Sequence, residues 1–227
     1  MTDPRDRILA AAASLLESGG EEAVSTRAVG AAAGVQAPTI YRLFGDKQGL
    51  LDAVVTRGFE DYLADKTRRA ETPDPVEDLR HGWDAHIELA LERPALYALM
   101  YARPREAGHS PAARAAFAVL AAHVHRIAAV GRLRVAEDRA VAMLHGAGSG
   151  VALSLVAVPP SERDPGLATA TREAVLAAIT TEAPDGADPG PVAAAVTLRA
   201  ALDRLPGFTA AERGLLGEWL HRVARTS

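Results

Sequence analysis

Apolar residues recur at helical spacing along most of the chain, and glycines and prolines interrupt the pattern at short intervals. In the first run, the residues that fall on one helical face are Ile8, Leu9, Ala12, Leu15 and Leu16. No stretch keeps the apolar–polar alternation that is typical of a half-buried β-strand. The sequence therefore predicts an all-α fold, and 227 residues, 48% of them hydrophobic, suffice for a sizeable core.

Start and stop signals divide the first third of the chain into four helices. Asp3-Pro4 is a helix start, Gly19-Gly20 ends the first helix, and Ser25 is a capping residue for the second. Gly34 breaks the second helix, and Gly45-Asp46 makes a stop followed by a new cap. These signals predict helices over about residues 4–18, 26–33, 37–44 and 47–71.

The segment Thr72-Pro73-Asp74-Pro75 is the strongest candidate boundary, because two prolines in four residues disfavour helix. Further helical runs follow it, with breaks at residues 94, 104–111, 131–137, 159–165, 184–191 and 205–208. Thr209 and Glu212 fit a capping box for the last helix. That helix carries an apolar stripe made of Leu215, Leu216, Trp219, Leu220 and Val223.

Composition excludes several kinds of site. The chain has no cysteine, so disulfides, cysteine-ligated zinc, iron–sulfur clusters and a thiol nucleophile are ruled out. His123 and His125 lie on opposite sides of a helix, which is wrong for one metal ion. The Gly146–Gly150 run lacks the Lys-Ser/Thr ending of a phosphate-binding loop. We therefore expect no metal, no cofactor, no catalytic residues and no enzyme activity.

Residues 140–158 carry no Asp, Glu, Lys or Arg and reach the length of a membrane-spanning helix. They also contain several glycines, serines and a histidine, which is typical of a buried helix in a bundle. The N-terminus mixes charges with helically spaced apolar residues and has no secretory pattern. The prediction is a cytoplasmic protein with no membrane partner.

Residues 25–51 predict a short helix, a glycine turn and a second short helix, the outline of a helix-turn-helix. Six residues can face inward and fix the angle between the helices: Ala28, Val29, Ala32, Val35, Ile40 and Phe44. Six others then face outward: Gln36, Ala37, Pro38, Thr39, Tyr41 and Arg42. No acidic residue lies between Glu22 and Asp46, whereas Arg27, Arg42 and nearby Lys47 are basic, which favours a phosphate backbone.

The runs RILAAAASLLESGG, TRAVGAAAGV and APTIYRLFGDKQGLLDAV resemble the TetR family of bacterial transcriptional regulators over about residues 5–55. The resemblance implies DNA-backbone contacts for Thr26, Arg27, Thr39, Tyr41 and Lys47. It implies base-facing positions for Gln36, Ala37 and Pro38, and either role for Arg42. Two positions depart from the family pattern. Leu43 replaces a frequent histidine, and Gly49 stands where a helix-favouring residue is usual and loosens the helix start.

The resemblance further implies a homodimer that binds double-stranded operator DNA and is regulated by a small molecule. We expect a DNA-binding domain over residues 1–50, a connecting helix over 47–71, and a ligand-binding and dimerisation domain over 51–227. The function would be that of a repressor released from a palindromic operator by an apolar or amphipathic molecule. The alternative is a helical small-molecule-binding protein or enzyme without DNA binding.

Two further sets of candidates come from the C-terminal region. Bulky and polar residues on amphipathic faces are candidates for an effector pocket: Trp83, His86, Ile87, Tyr97, Met100, Tyr101, Phe117, His123, Met143 and His145. Small residues that allow close helix approach are candidates for the dimer interface, together with their apolar neighbours: Gly146, Gly148, Gly150, Val151 and Leu155. The helix that starts near Gly166 is the expected partner, and the last helix with Trp219 competes for that role.

Overall fold

A computed structural model describes residues 3–68, 71–101, 111–181 and 190–225. The first four α-helices of this part are α1 (Pro4–Ala23), α2 (Thr26–Ala33), α3 (Ala37–Phe44) and α4 (Lys47–Arg68). They are followed by α5 (Pro75–Glu92), α6 (Pro94–Tyr101), α7 (Pro111–Ala129) and α8 (Glu137–Val156). The last three are α9 (Leu167–Ile179), α10 (Gly190–Ala201) and α11 (Ala210–Ala224). Within the described residues there is no strand, only an isolated bridge between Leu133 and Thr180, so the predicted all-α class is confirmed.

The chain divides into two compact units. The first consists of Met1–Arg69, Ala85–Ala116 and Leu153–Pro159, and the second of Ala70–Asp84, Phe117–Ala152 and Pro160–Ser227. The core of the first unit contains apolar residues of α1, α2, α3, α4 and α6. Its fully buried members include Ile8, Leu16, Val29, Ile40 and Val55. The helical face predicted for α1 is thus the face that packs.

The predicted helix ends are right in most places and differ at two. The Gly19-Gly20 pair leaves helical geometry, with φ 66° at Gly20, but one further turn follows and carries α1 on to Ala23. Arg68 is the last described residue of α4, and Glu71, at about which the helix was predicted to end, is itself not helical. The predicted breaks at 104–111 and 184–191 lie largely outside the described residues.

One inward-facing residue of the helix-turn-helix was assigned wrongly. Ala32 is exposed, and Ala33 beside it is buried together with Val29 and Gly30. The buried positions of α2 therefore follow an i, i+1, i+4 pattern, and Ala32 falls past the edge of that face. In a run of three alanines, side-chain type gives no signal that separates one position from the next.

The proline-rich segment before α5 is held in place by a network of charged groups within the second unit. Asp78, only 7% exposed, accepts hydrogen bonds from the Thr72 amide at 2.9 Å and from Arg126 Nη1 at 2.6 Å. Arg126 Nη2 also donates to the Thr72 carbonyl oxygen at 3.1 Å. Arg132 Nη1 donates to Asp74 at 2.8 Å. The proline-rich segment is therefore anchored within the second unit, where two arginines each contact a carboxylate.

Burial by itself raises the pKa of Asp78, but the hydrogen bonds from Thr72 and the charge of Arg126 outweigh it and leave the pKa below its ordinary value. A carboxyl whose pKa is lowered by folding stabilises the fold above its unfolded pKa. That contribution is lost as the pH falls through the folded pKa.

Among the described residues, helix α8 alone has the length and apolarity of a membrane-spanning segment, judged by length and composition. A single helix of this kind is also found in the core of globular proteins, so the absence of a membrane partner stays a prediction. The positions that α8 leaves exposed are informative, because Ala142, Gly146 and Gly150 lie four residues apart and are all small.

We expect Asp78→Asn to lower the free energy of unfolding by about 2 kcal/mol at neutral pH, because Arg126 then loses a charged acceptor in a buried place. The difference from wild type should shrink as the pH falls below about 4, where the unfolded carboxyl is protonated. Urea titrations across pH measure this. Asp203→Asn, at an exposed aspartate of the same unit, is the matched control and should change stability little. A pH-independent difference would contradict the role assigned to the Asp78 charge.

Candidate DNA-binding interface

Helices α2 and α3 are placed by local signals that the sequence carries. The Ser25 hydroxyl accepts a hydrogen bond from the Ala28 amide at 3.1 Å and caps α2. Gly34 ends α2 with φ 65°, a left-handed conformation that favours glycine. Helix α3 then begins with Ala37-Pro38, where the missing proline N–H leaves no helical acceptor unsatisfied. Its Ile40 is fully buried, which fixes the rotation of α3 and turns the opposite side outward.

The nine predicted DNA-contact residues all reach the surface of the first unit. Arg27, Gln36, Pro38, Tyr41, Arg42 and Lys47 are exposed, and Thr26, Ala37 and Thr39 are half-buried. Tyr41 has 51% of its surface exposed, which is unusual for a large aromatic side chain. It therefore does not serve the core as an ordinary packing residue would.

Two of the nine contact each other across the turn. The Tyr41 hydroxyl lies 3.5 Å from the Thr26 hydroxyl, at the outer limit of a hydrogen bond. The contact links the start of α2 to the middle of α3 and places two hydroxyls side by side. Paired hydroxyls of this kind are suited to donate to one phosphate group.

The rest of this surface is electrically positive. Arg27 and Arg42 have no carboxylate partner among the described contacts, and residues 23–45 contain no acid. The Gln36 side chain makes no capping bond although Gln36 stands at the N-cap position of α3. Its amide is thus available to an external group, and an amide is the side-chain type that reads adenine in the major groove.

Lys47 is tied to the first helix. Its ammonium group donates to the Glu21 carbonyl oxygen at 2.8 Å, so its charge stays near the end of α1. Lys47 is also the first residue of α4. Asp46 caps the start of α4, because its carboxylate accepts a hydrogen bond from the Gly49 amide at 2.7 Å. A Cβ at position 49 would stand 2.0 Å from the Phe44 carbonyl oxygen. This tight turn therefore requires a glycine at position 49, which the sequence analysis did not predict.

Sequence reasoning missed Arg5. Its guanidinium lies over the ring of Phe44, 5.0 Å from the ring centroid, and adds a further positive charge next to the end of α3. Only the packing of α1 against the helix-turn-helix brings Arg5 and Phe44 together, so no spacing in the sequence could have indicated the contact. Glu17 was missed for the same reason. Its carboxylate accepts from the Ala95 and Leu96 amides at 3.2 and 2.9 Å and joins α1 to α6.

The effector-pocket candidates fall into both units. In the first unit, the rings of His86, Tyr97 and Tyr101 pack together, and both nitrogens of His86 lie within hydrogen-bond distance of tyrosine hydroxyls. Those hydroxyls are on Tyr97, at 2.7 Å, and on Tyr62, at 3.4 Å. Burial raises the pKa values of Tyr62 and Tyr101 above the ordinary tyrosine value, so both stay neutral. Ile87 and Met100 are buried in this unit as well.

The remaining pocket candidates belong to the second unit. Phe117 and His145 have ring centroids 4.4 Å apart, and His123 and Met143 are half-buried. Trp83 is buried, and its indole N–H has no hydrogen-bond partner among the described residues. The hydroxyl of Ser149 on α8 is also buried and has no hydrogen-bond partner among the described residues. Buried polar atoms of this kind are uncommon and are suited to a ligand with complementary groups.

The dimer-interface candidates on α8 separate by exposure. Gly146 and Gly150 are exposed, and a Cβ at either would meet nothing within 4 Å. Gly148, Val151 and Leu155 are already buried within the chain. The apolar stripe predicted for the last helix is partly outward-facing in α11, with Leu215 47%, Trp219 52% and Val223 41% exposed.

Solved structures share this fold. A protein of unknown function from Rhodococcus sp. RHA1 has a TM-score of 0.68 at 23% identity, over 80% of this chain and 97% of that one. The fatty acid degradation regulator FadR from Bacillus halodurans has a TM-score of 0.67 at 18% identity, over 78% and 96% of the two chains. A TetR family transcriptional regulator from Agrobacterium tumefaciens has 0.58 at 21%, over 78% and 98%. At these identities the likeness shows the fold alone.

No curated protein matches the sequence. The sequence model of bacterial regulatory proteins of the tetR family matches residues 8–54, which run from α1 into α4 and include all nine predicted DNA-contact residues. The match confirms the resemblance predicted from the three sequence runs and indicates a transcription factor. This chain carries the N-terminal helix-turn-helix of the tetR family and is a DNA-binding transcriptional regulator.

Proposed function

We propose that the protein is a homodimeric repressor that binds a palindromic operator in the cytoplasm and leaves it when a small molecule binds. The observation that carries this proposal is the outward face of α2 and α3. There, two arginines that have no carboxylate partner among the described contacts stand together with a glutamine amide that makes no capping bond and with two adjacent hydroxyls. Residues 1–50 would form the DNA-binding domain, and residues 51–227 the ligand-binding and dimerisation domain.

On DNA, each of the nine residues has a role that follows from its chemistry. Thr26, Thr39, Tyr41, Lys47 and in part Arg27 would hold phosphates, while Gln36 and Arg42 would read base edges. Ala37 and Pro38 carry no hydrogen-bonding side chain. They would meet a thymine methyl group at the start of α3.

For the dimer, the exposed side of α8 supports an interface between two copies. Its outward positions Ala142, Gly146 and Gly150 are uncharged and small, and α9 adds exposed Ala170, Ala174 and Ala177. Small side chains let helix axes approach closely. The competing surface is the stripe Leu215, Trp219 and Val223 on α11, which is larger in side-chain area but interspersed with Glu218 and Arg222.

For the effector, the second unit offers apolar and aromatic side chains with few hydrogen-bonding groups. The indole N–H of Trp83 and the hydroxyl of Ser149 have no hydrogen-bond partner among the described residues, and they support a ligand that is mostly apolar and carries one or two polar atoms. Phe117, His123, Met143 and His145 would supply the surrounding surface.

The proposed regulator should bind the duplex upstream of its own coding sequence more tightly than random DNA. Affinity should fall as salt rises, with a log–log slope of about −0.9 for each phosphate neutralised. Fluorescence anisotropy at several salt concentrations, with random competitor DNA, measures both properties. A folded protein that binds no duplex at low salt would refute the regulator function and favour the small-molecule-binding alternative.

Substitutions on the α3 surface should separate backbone contacts from base contacts. Tyr41→Phe should weaken binding to operator and random DNA alike, by about 1 kcal/mol per protomer, because one phosphate hydrogen bond is lost. Arg42→Ala and Gln36→Ala should instead change sequence preference, measured by selection from a randomised duplex library. Arg204→Ala, an exposed arginine of the second unit, is the control and should leave both properties unchanged. Tyr41→Phe altering preference only would contradict its backbone role.

One pair of variants locates the dimer interface. Gly146→Glu should convert the dimer to monomer, because the new carboxylate enters an uncharged surface without disturbing the chain's own packing. Trp219→Glu on α11 should leave the dimer intact. Light scattering coupled to size exclusion measures the mass of each. The reverse result would place the interface on α11.

A further inference from the structure

A surface groove with a volume of about 450 Å³ lies within the first unit, between α1, α4 and the start of α6. This volume lies in the range of small-molecule sites. None of the predicted DNA-contact, effector-pocket or dimer-interface residues lines it. The groove is therefore separate from every site discussed above.

The lining of the groove combines an apolar floor with charged walls. The floor is formed by larger aliphatic side chains and by positions with little or no side chain: Leu9, Val54, Leu96, Ala10, Ala13 and Gly58. A floor of this kind accepts a hydrocarbon chain, because it offers continuous apolar surface and no hydrogen-bonding groups of its own side chains.

The walls of the groove carry more positive than negative charges, with three arginines and two aspartates. The positive charge of Arg57 is paired with carboxylates inside the groove. Its Nε lies 2.9 Å from an Asp61 carboxylate oxygen, and its Nη1 lies 3.6 Å from an Asp6 carboxylate oxygen. Arg7 and Arg93 also line the groove and have no carboxylate partner among the described contacts. Arg93 is half-buried just before α6 and forms no ion pair among the described residues.

We propose that this groove binds an aliphatic monocarboxylate, with the carboxylate on Arg93 and Arg7 and the hydrocarbon chain along the apolar floor. Arginine forms paired hydrogen bonds with carboxylates as it does with phosphates, so a carboxylate fits these two side chains. Asp6 and Asp61 stand in the same groove and repel a second negative charge, which disfavours dicarboxylates and phosphate esters. The site would be a second ligand site, located on the unit that contains the helix-turn-helix.

Isothermal titration of the full-length protein with octanoate, in the absence of DNA, tests the site. Octanoate should bind saturably, and 1-octanol, which has the same chain without the charge, should bind at least about tenfold more weakly, because it lacks the charged hydrogen bonds. Arg93→Gln should weaken octanoate binding about tenfold by the same reasoning. Arg199→Gln, a half-buried arginine of α10 in the second unit, is the matched control and should bind octanoate like wild type.

A second variant acts through the floor. Ala10→Leu keeps a strong helix former on an exposed position of α1 and should reduce octanoate binding by filling the groove. Equal binding of octanol and octanoate would overturn the carboxylate assignment. Unchanged octanoate affinity in both Arg93→Gln and Ala10→Leu would place the ligand elsewhere and overturn the site. Because the titration contains no DNA, a failure of octanoate to bind leaves the DNA-binding proposal unaffected. A failure to bind duplex DNA likewise leaves the proposed carboxylate site unaffected.

Discussion

The DNA-facing surface depends on the burial of one side of two very short helices. Helices α2 and α3 have eight residues each, well below the length of about 12–15 residues at which isolated helices become marginally stable in water. Their stability must therefore come from packing, and Val29 and Ile40 are each fully buried in a core shared with α1, α4 and α6. Burying one such side chain contributes about 2 kcal/mol. The positions of Gln36, Tyr41 and Arg42 are set by those contacts rather than by α3 itself.

Much of this arrangement could be predicted from the chain because its signals are local. Ser25, Gly34, the Ala37-Pro38 pair and the capping box at Thr209 each act within a few residues, and each is found where the sequence indicates. The errors arose where local signals are silent. Ala32 and Ala33 are chemically identical, so only the three-dimensional packing of α2 separates them. The requirement for glycine at position 49 depends on the distance to a backbone oxygen, which the sequence does not express.

In the candidate site, too, some features could be predicted from local sequence and others could not. The exposure of the predicted contact residues follows from helical phase once Ile40 is assigned to the core. The contacts of Arg5 with Phe44, of Lys47 with Glu21 and of Glu17 with α6 join residues that are 26 or more positions apart. Contacts at such separations are set by tertiary packing. The charged network around Asp78 has the same character, because Arg126 reaches the proline-rich segment from α7.

The distribution of charge has a kinetic consequence. The whole chain carries a formal net charge of −4, yet residues 23–45 contain two arginines and no acid. Most of the molecule is therefore repelled by a duplex, while one small surface is attracted to it. Electrostatic attraction to a duplex is therefore concentrated on this surface and favours the orientation in which it faces the DNA. On the proposed function, this surface would guide the first encounter with an operator, and the attraction would weaken as salt rises.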